Sequence, residues 1–327
     1  MKLAALVLCV LVIVVAPAWA GTVGFQKLAL PNPGGKPLTV GIWYPSDAAA
    51  RPTPLEDFTQ VVAADGPVAG RRLPLVVISH GSGGSFAGHY DTALALARAG
   101  FVAASITHEG DSWDDQSKVA EIWRRPAQLH QLIDYVLAAW PGRGHVDAAR
   151  VGAFGFSAGG FTVLVAAGGV PNLATVAPYC ASHAQTFTCK IVAAHAAEVR
   201  TGAALPASAW VHDRRIKAIV VAAPALGFSF GRRGLGAVTI PVQLWRDEED
   251  HVLPYPDFAE AVRAALPRPP EYHVVADADH YDFLAPCPAA LARQNPDICA
   301  SRPGFDRAAF HARFDAAVVD FFRRTLG

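Results

Sequence analysis

The chain has no excess of charge of either sign: 28 lysine and arginine residues balance 28 aspartate and glutamate residues over 327 positions. Without a basic field there is nothing domain-wide to hold nucleic acid or an anionic membrane surface, so neither is expected as a partner. The cysteines lack C-x-x-C spacing and the histidines lack H-E-x-x-H, which removes the common zinc arrangements. G-x-x-x-x-G-K-[ST], the phosphate cradle, is missing as well. No cofactor and no catalytic metal are expected on these grounds. Internal repeats and low-complexity linkers are also lacking, so a single domain is the economical reading. What is present is apolar: 52% hydrophobic against 17% charged residues is enough to bury a sizeable core and excludes disorder.

The apolar run at the start, Leu3 to Ala16, falls short of the roughly 20 residues that a membrane span requires. Lys2 precedes it, and Ala18-Trp19-Ala20 follows with a small-x-small cleavage pattern. Residues 1–20 therefore read as a secretory signal peptide. Cys9 is no lipid-attachment site, since Leu8 stands before it and the apolar run continues past it. The mature chain, from near Gly21, is expected to be secreted or periplasmic with no stable membrane span. Four cysteines then remain, Cys180, Cys189, Cys287 and Cys299, an even number in an exported chain. Of the three connectivities, the short loops Cys180–Cys189 and Cys287–Cys299 are favoured, because each staples one irregular segment.

Thr22 to Leu30 and Leu38 to Tyr44 read as strands, joined by a turn at Pro31-Asn32-Pro33-Gly34-Gly35. Pro45 to Arg72, rich in Pro, Ala and polar residues, reads as a long surface connection. From Leu73 onward strands and helices alternate. Strands are expected at Leu73 to Ser79, Phe101 to Thr107, Arg150 to Gly155, Ile216 to Ala223, Ile240 to Arg246 and Glu271 to Ala276. Helices are expected near His89 to Ala99, Ala120 to Trp140, Ser157 to Gly168, Tyr255 to Leu266 and Asp306 to Leu326. Such alternation implies an α/β protein whose mostly parallel central sheet is flanked by helices. The segment 178–215 interrupts it and carries one cysteine pair. It reads either as an insertion capping the site or as a passive surface excursion.

Gly155-Phe156-Ser157-Ala158-Gly159 matches G-x-S-x-G, with Val151-Gly152-Ala153-Phe154 before it as a strand and Phe161-Thr162-Val163-Leu164 after it as a helix. A serine on such a strained strand-to-helix turn needs small neighbours, and this context makes Ser157 the candidate nucleophile of an α/β-hydrolase fold. His80-Gly81-Ser82-Gly83-Gly84 follows the buried strand Leu75 to Ser79. The backbone N–H groups of Ser82 and Ala158 are the expected oxyanion donors. His80 is read as a support of this loop.

Serine needs a histidine base, and the chain order Ser, Asp, His points past the last core strand. His280 lies there, within Asp279-His280-Tyr281-Asp282-Phe283. His251 is the competitor; His273 and His311 read as structural. For the acid, Asp250 lies just past the strand that ends near Trp245 and Arg246, with Asp247 as the alternative. Gly81, Phe156 and Trp245 are expected to border the substrate. His108-Glu109-Gly110-Asp111 has the look of a ligand cluster but is read as the pocket rim.

With these residues in place, the chain resembles the secreted α/β hydrolases known as predicted dienelactone hydrolases, and is similar to the platelet-activating-factor acetylhydrolases. The likeness rests on Gly41-Ile42-Trp43-Tyr44-Pro45, Ser79-His80-Gly81-Ser82-Gly83-Gly84, Gly155-Phe156-Ser157-Ala158-Gly159-Gly160 and Asp279-His280-Tyr281-Asp282-Phe283-Leu284. It implies Ser157, Asp250 and His280 as the triad, with Ser82 and Ala158 as oxyanion donors. Dienelactone hydrolases proper carry cysteine in the elbow, so Ser157 implies ordinary carboxylic esters, with a small molecule or a lipid as the substrate. Two other functions fit the same residues: an exported acyltransferase, or a catalytically silent binding protein on a hydrolase scaffold.

Overall fold

The computed structural model describes residues 21–327; the expected leader, residues 1–20 with Cys9, lies outside the described residues. Ten strands form one sheet: β1 (Thr22–Leu30), β2 (Leu38–Ser46), β3 (Arg51–Leu55), β4 (Phe58–Ala64), β5 (Leu73–Ser79), β6 (Val102–Ile106), β7 (Val146–Phe156), β8 (Ile216–Ala222), β9 (Val242–Asp247) and β10 (Glu271–Val275). Their spatial order is β10-β9-β8-β7-β5-β6-β2-β1-β4-β3. From β6 to β10 the neighbours run parallel. β2 is antiparallel to both β6 and β1, and a β3–β4 hairpin joins β1 along a short parallel edge.

Strand β5 explains why the sheet is covered on both faces. Its Leu75 and Val77 enter one core cluster while Val76 and Ile78 enter another, as the two-residue period of a strand requires. Helices α2 (Arg124–Asp134) and α3 (Ala158–Ala166) cover the first face through Leu129, Leu132, Phe161 and Leu164. Helices α1 (Tyr90–Arg98) and α11 (Arg307–Leu326) cover the second through Leu96, Phe314 and Phe322. Between α3 and β8 lie α4 (Val176–Ser182), α5 (Phe187–Ala194) and α6 (Ala196–Ala203). The remaining helices are α7 (Arg232–Leu235), α8 (Ala259–Ala265), α9 (Ala289–Gln294) and α10 (Pro296–Cys299). Among the described residues no helix is long and apolar enough to cross a membrane.

Both favoured cysteine pairings are present. Cys180–Cys189 ties α4 to α5, and Cys287–Cys299 ties the loop before α9 to α10.

The segment 45–72 corrects the expectation of a loop, because it holds β3 and β4. Pro52 and Pro54 argue against a strand, yet β3 is the outer edge of the sheet, where a missing N–H faces no partner. This hairpin also completes the core. Trp43 on β2 is fully buried against Phe25 and Phe86, and its Nε1–H donates to Oε1 of Gln60 on β4 at 2.7 Å. Tyr255 to Leu266 also differs, since only Ala259–Ala265 is helical; Pro256 disfavours helical geometry in the residue before it.

Trp43→Ala is expected to cost about 3–5 kcal/mol of stability, since it opens a cavity and leaves the buried Gln60 without its donor. Urea unfolding measures this; a loss under about 1 kcal/mol contradicts the packing described.

Candidate active site

Ser157 occupies the single residue between β7 and α3, with φ 54° and ψ −116°. Its N–H donates to the carbonyl of Ala222 at 2.9 Å, and its own carbonyl accepts from the N–H of Ala225 at 2.9 Å and of Phe161 at 3.1 Å. The turn therefore rests on β8 as well as on α3. Glycine is forced on both sides. A Cβ at Gly155 would stand 2.1 Å from the carbonyl oxygen of Gly159, and one at Gly159 would stand 1.8 Å from that of Ser79.

The loops after β9 and β10 bring two more side chains to this turn. His280 Nε2 lies 3.1 Å from Ser157 Oγ, and His280 Nδ1 lies 2.8 Å from Asp250 Oδ2. The other carboxylate oxygen of Asp250 accepts the N–H groups of Val252 at 2.9 Å and Leu253 at 2.6 Å. The His280 ring is buried and packs against Phe156 with centroids 4.8 Å apart. Its loop is clamped from below. Asp282 Oδ2 accepts the N–H of Asp279, its Oδ1 accepts Nε–H of the buried Arg307 at 3.0 Å, and its carbonyl accepts Nε2–H of His311 at 2.9 Å. Burial opposes charge on His311, but Asp91, 2.7 Å from Nδ1, outweighs it and holds the imidazole above its usual range.

The alternatives are placed elsewhere. His251 is exposed and pairs with Asp279, while His273 stacks on Trp245 and touches Glu271. Asp247 is buried at the end of β9, and neither of its oxygens has a hydrogen-bond partner among the described residues. Burial, followed by the charges of Asp250, Asp282 and Asp279, drives its carboxyl well above the carboxylate range. This raised carboxyl stands beside an Asp250 that accepts hydrogen bonds.

The loop His80 to Gly84 is held by residues that sequence reading passed over. Arg125 on α2 is buried and donates from Nη1 to the His80 carbonyl at 2.7 Å and from Nη2 to the Gly81 carbonyl at 3.2 Å. Its Nε lies 3.0 Å from Asp111 Oδ2, and Asp111 Oδ1 accepts the N–H of Gly83 at 2.9 Å. Asp111 was read as pocket rim, whereas Arg125 sat inside a stretch legible only as helical. Burial, with the Arg125 charge beside it, keeps His80 far below the usual imidazole range. Its Nε2 accepts the N–H of His108 at 3.0 Å, so His80 braces the loop.

Two cavities meet at Ser157 and share Ser82. One is lined by His80, Gly81, Phe156, His280, Tyr281 and Ile298, among others. The other is lined by Ala158 and by apolar residues of the segment between α3 and β8. Gly81 and Phe156 line the first of these cavities. Trp245 does not: its ring is buried between His273 and Phe314, donates Nε1–H to Gln243, and lines neither cavity. Successive side chains of a strand point to opposite faces, and this face of β9 packs on α11.

No family model matches the chain, and no curated protein matches it. Among solved structures it is similar to a ferulic acid esterase from Streptomyces cinnamoneus, with 21% identity and a TM-score of 0.61 over 95% of this chain and 92% of that one. The chain has the α/β-hydrolase fold. In this fold Ser157 stands at the strand-to-helix turn after β7, and the loops after β5, β9 and β10 surround it.

Asp247 generates a pH-dependent prediction. Its folded pKa is raised, so above about pH 4 the unfolded chain releases a proton that the folded chain keeps, and stability falls as pH rises. Asp247→Asn removes this dependence. Its unfolding free energy relative to the parent, from urea unfolding, is expected to rise between pH 5 and pH 7, with a slope of up to about 1.4 kcal/mol per pH unit. A difference that stays constant across that range contradicts a neutral Asp247.

Proposed function

We propose that the protein is a serine hydrolase of carboxylic esters. The observation that carries this reading is the continuous relay from Asp250 through both nitrogens of His280 to Ser157 Oγ, at 2.8 and 3.1 Å. His280 takes the proton of Ser157 as its oxygen attacks the ester carbonyl, and Asp250 orients the ring and stabilises the imidazolium that forms. The oxyanion is held by the N–H groups of Ala158 and Ser82. Ala158 opens α3, where N–H groups have no partner within the helix. In the loop, the N–H groups of Gly83 and Gly84 are committed to Asp111 and to the Gly81 carbonyl, which leaves that of Ser82. The protonated His280 then gives its proton to the departing alcohol, and a water activated by the same ring releases the acid.

The narrower resemblance supports this chemistry. A serine elbow, in place of the cysteine of dienelactone hydrolases, favours ordinary esters. Two disulfides fit an oxidising compartment, and with the leader motif they support a secreted or periplasmic enzyme. The neighbouring ferulic acid esterase supports ester chemistry on this fold.

Hydrolysis of p-nitrophenyl esters tests the reading. Ser157→Ala is expected to lower kcat by about 10⁴-fold or more, as is Asp250→Asn, while Asp247→Asn keeps most of the activity. Full activity in Ser157→Ala, or loss in Asp247→Asn alone, overturns the assignment.

A further inference from the structure

The two cavities at Ser157 differ in chemistry. One has no charged side chain in its lining: apolar residues such as Ile122, Trp123, Leu173, Phe187, Ile191 and Val199 dominate it, and Thr188 is the polar exception outside the serines. The space between these side chains, open solvent included, is about 640 Å³. Its roof is α5 and α6, and α6 sits directly on Trp123, where a Cβ on Gly202 would stand 2.5 Å from the indole ring. Cys180–Cys189 ties α5 to α4 and so holds this roof in place. The other cavity has a polar wall of His80, Gln116, His280 and Tyr281.

The reaction assigns a side to each half of the ester. A leaving alkoxide must receive its proton from His280 Nε2, so the alcohol lies against His280. The apolar chamber contains Ser157, Ser82 and Ala158 in its lining but not His280. It therefore extends from the carbonyl carbon away from the leaving group.

We propose that this chamber under α4–α6 binds an uncharged hydrocarbon acyl group longer than acetyl, with the alcohol in the groove beside His280 and Ile298. The inference rests on the esterase reading and adds the acyl class to it. Acyl groups that carry a second carboxylate are rejected, because the chamber offers a buried charge no partner. The segment 178–215 acts here as a cap that shapes specificity.

The test is kcat/KM on p-nitrophenyl esters from acetate to octanoate, using the full mature chain. The expected profile rises about fourfold per methylene, reaching on the order of a hundredfold between acetate and hexanoate. Ile191→Trp, which fills the chamber, is expected to lower the ratio of octanoate to acetate hydrolysis by about tenfold or more. The Cys180→Ser/Cys189→Ser double variant, which frees the roof, is expected to flatten the profile with acetate retained. Ile298→Trp is expected to change the preference for the alcohol and to leave the acyl profile intact. A parental profile that is flat or falls from acetate overturns the inference while leaving the esterase reading standing. So does an Ile191→Trp variant that loses acetate and octanoate equally, or an acyl profile that moves with Ile298→Trp. Absence of hydrolysis across all the esters removes the esterase reading, and this inference with it.

Discussion

The backbone of Ser157, at φ 54° and ψ −116°, occupies a conformation that costs an L-residue on the order of 1–3 kcal/mol. It persists because the surroundings leave the chain no other course. Ala222 on β8 takes its N–H, while Ala225 and the first turn of α3 take its carbonyl. Gly155 and Gly159 lie so close to neighbouring backbone that no side chain fits at either position. The turn lifts the hydroxyl off the sheet edge, and only there do the loops after β9 and β10 reach it with Asp250 and His280. The glycine pattern and the relay therefore depend on one constraint on one residue, which the parallel sheet imposes.

Contrasting treatment of buried charge gives the site its second layer of order. Asp250 and Asp247 lie three residues apart at the end of β9, yet only Asp250 accepts two backbone N–H groups and the His280 ring. Asp247 has burial without partners among the described residues, and its carboxyl is pushed well above the usual carboxylate range. Beneath the site, Arg125 with Asp111 and Arg307 with Asp282 each pair a buried guanidinium with a carboxylate. The first pair bonds the backbone of the His80–Gly84 loop, and Asp282 of the second accepts the N–H of Asp279 beside His280. Breaking one partner of such a pair leaves a buried charge uncompensated, which is how these contacts hold loop geometry.

Local chemistry was legible in the sequence, and long-range packing was not. Ser157, His280, the glycine loop and both cysteine pairings follow from turn chemistry and short spacing, and the fully apolar strand Leu73–Ser79 announces a sheet covered on both faces. The β3–β4 hairpin was hidden because Pro52 and Pro54 erase the strand signal on an edge that tolerates them. Arg125 is separated from the His80 loop by more than forty residues, and nothing in a helical period says that its head group turns inward. Trp245 misled in the opposite way: ending the acid-bearing strand placed it near the site in sequence, while the alternation of side chains turned it into the core.

The most direct measurement of the central claim is covalent. The protein treated with a fluorophosphonate, then digested and mapped by mass spectrometry, is predicted to carry one adduct, on the peptide containing Ser157 and on that oxygen. Unlabelled chain, or an adduct on any other residue with Ser157 unmodified, contradicts the assignment of Ser157 as the nucleophile.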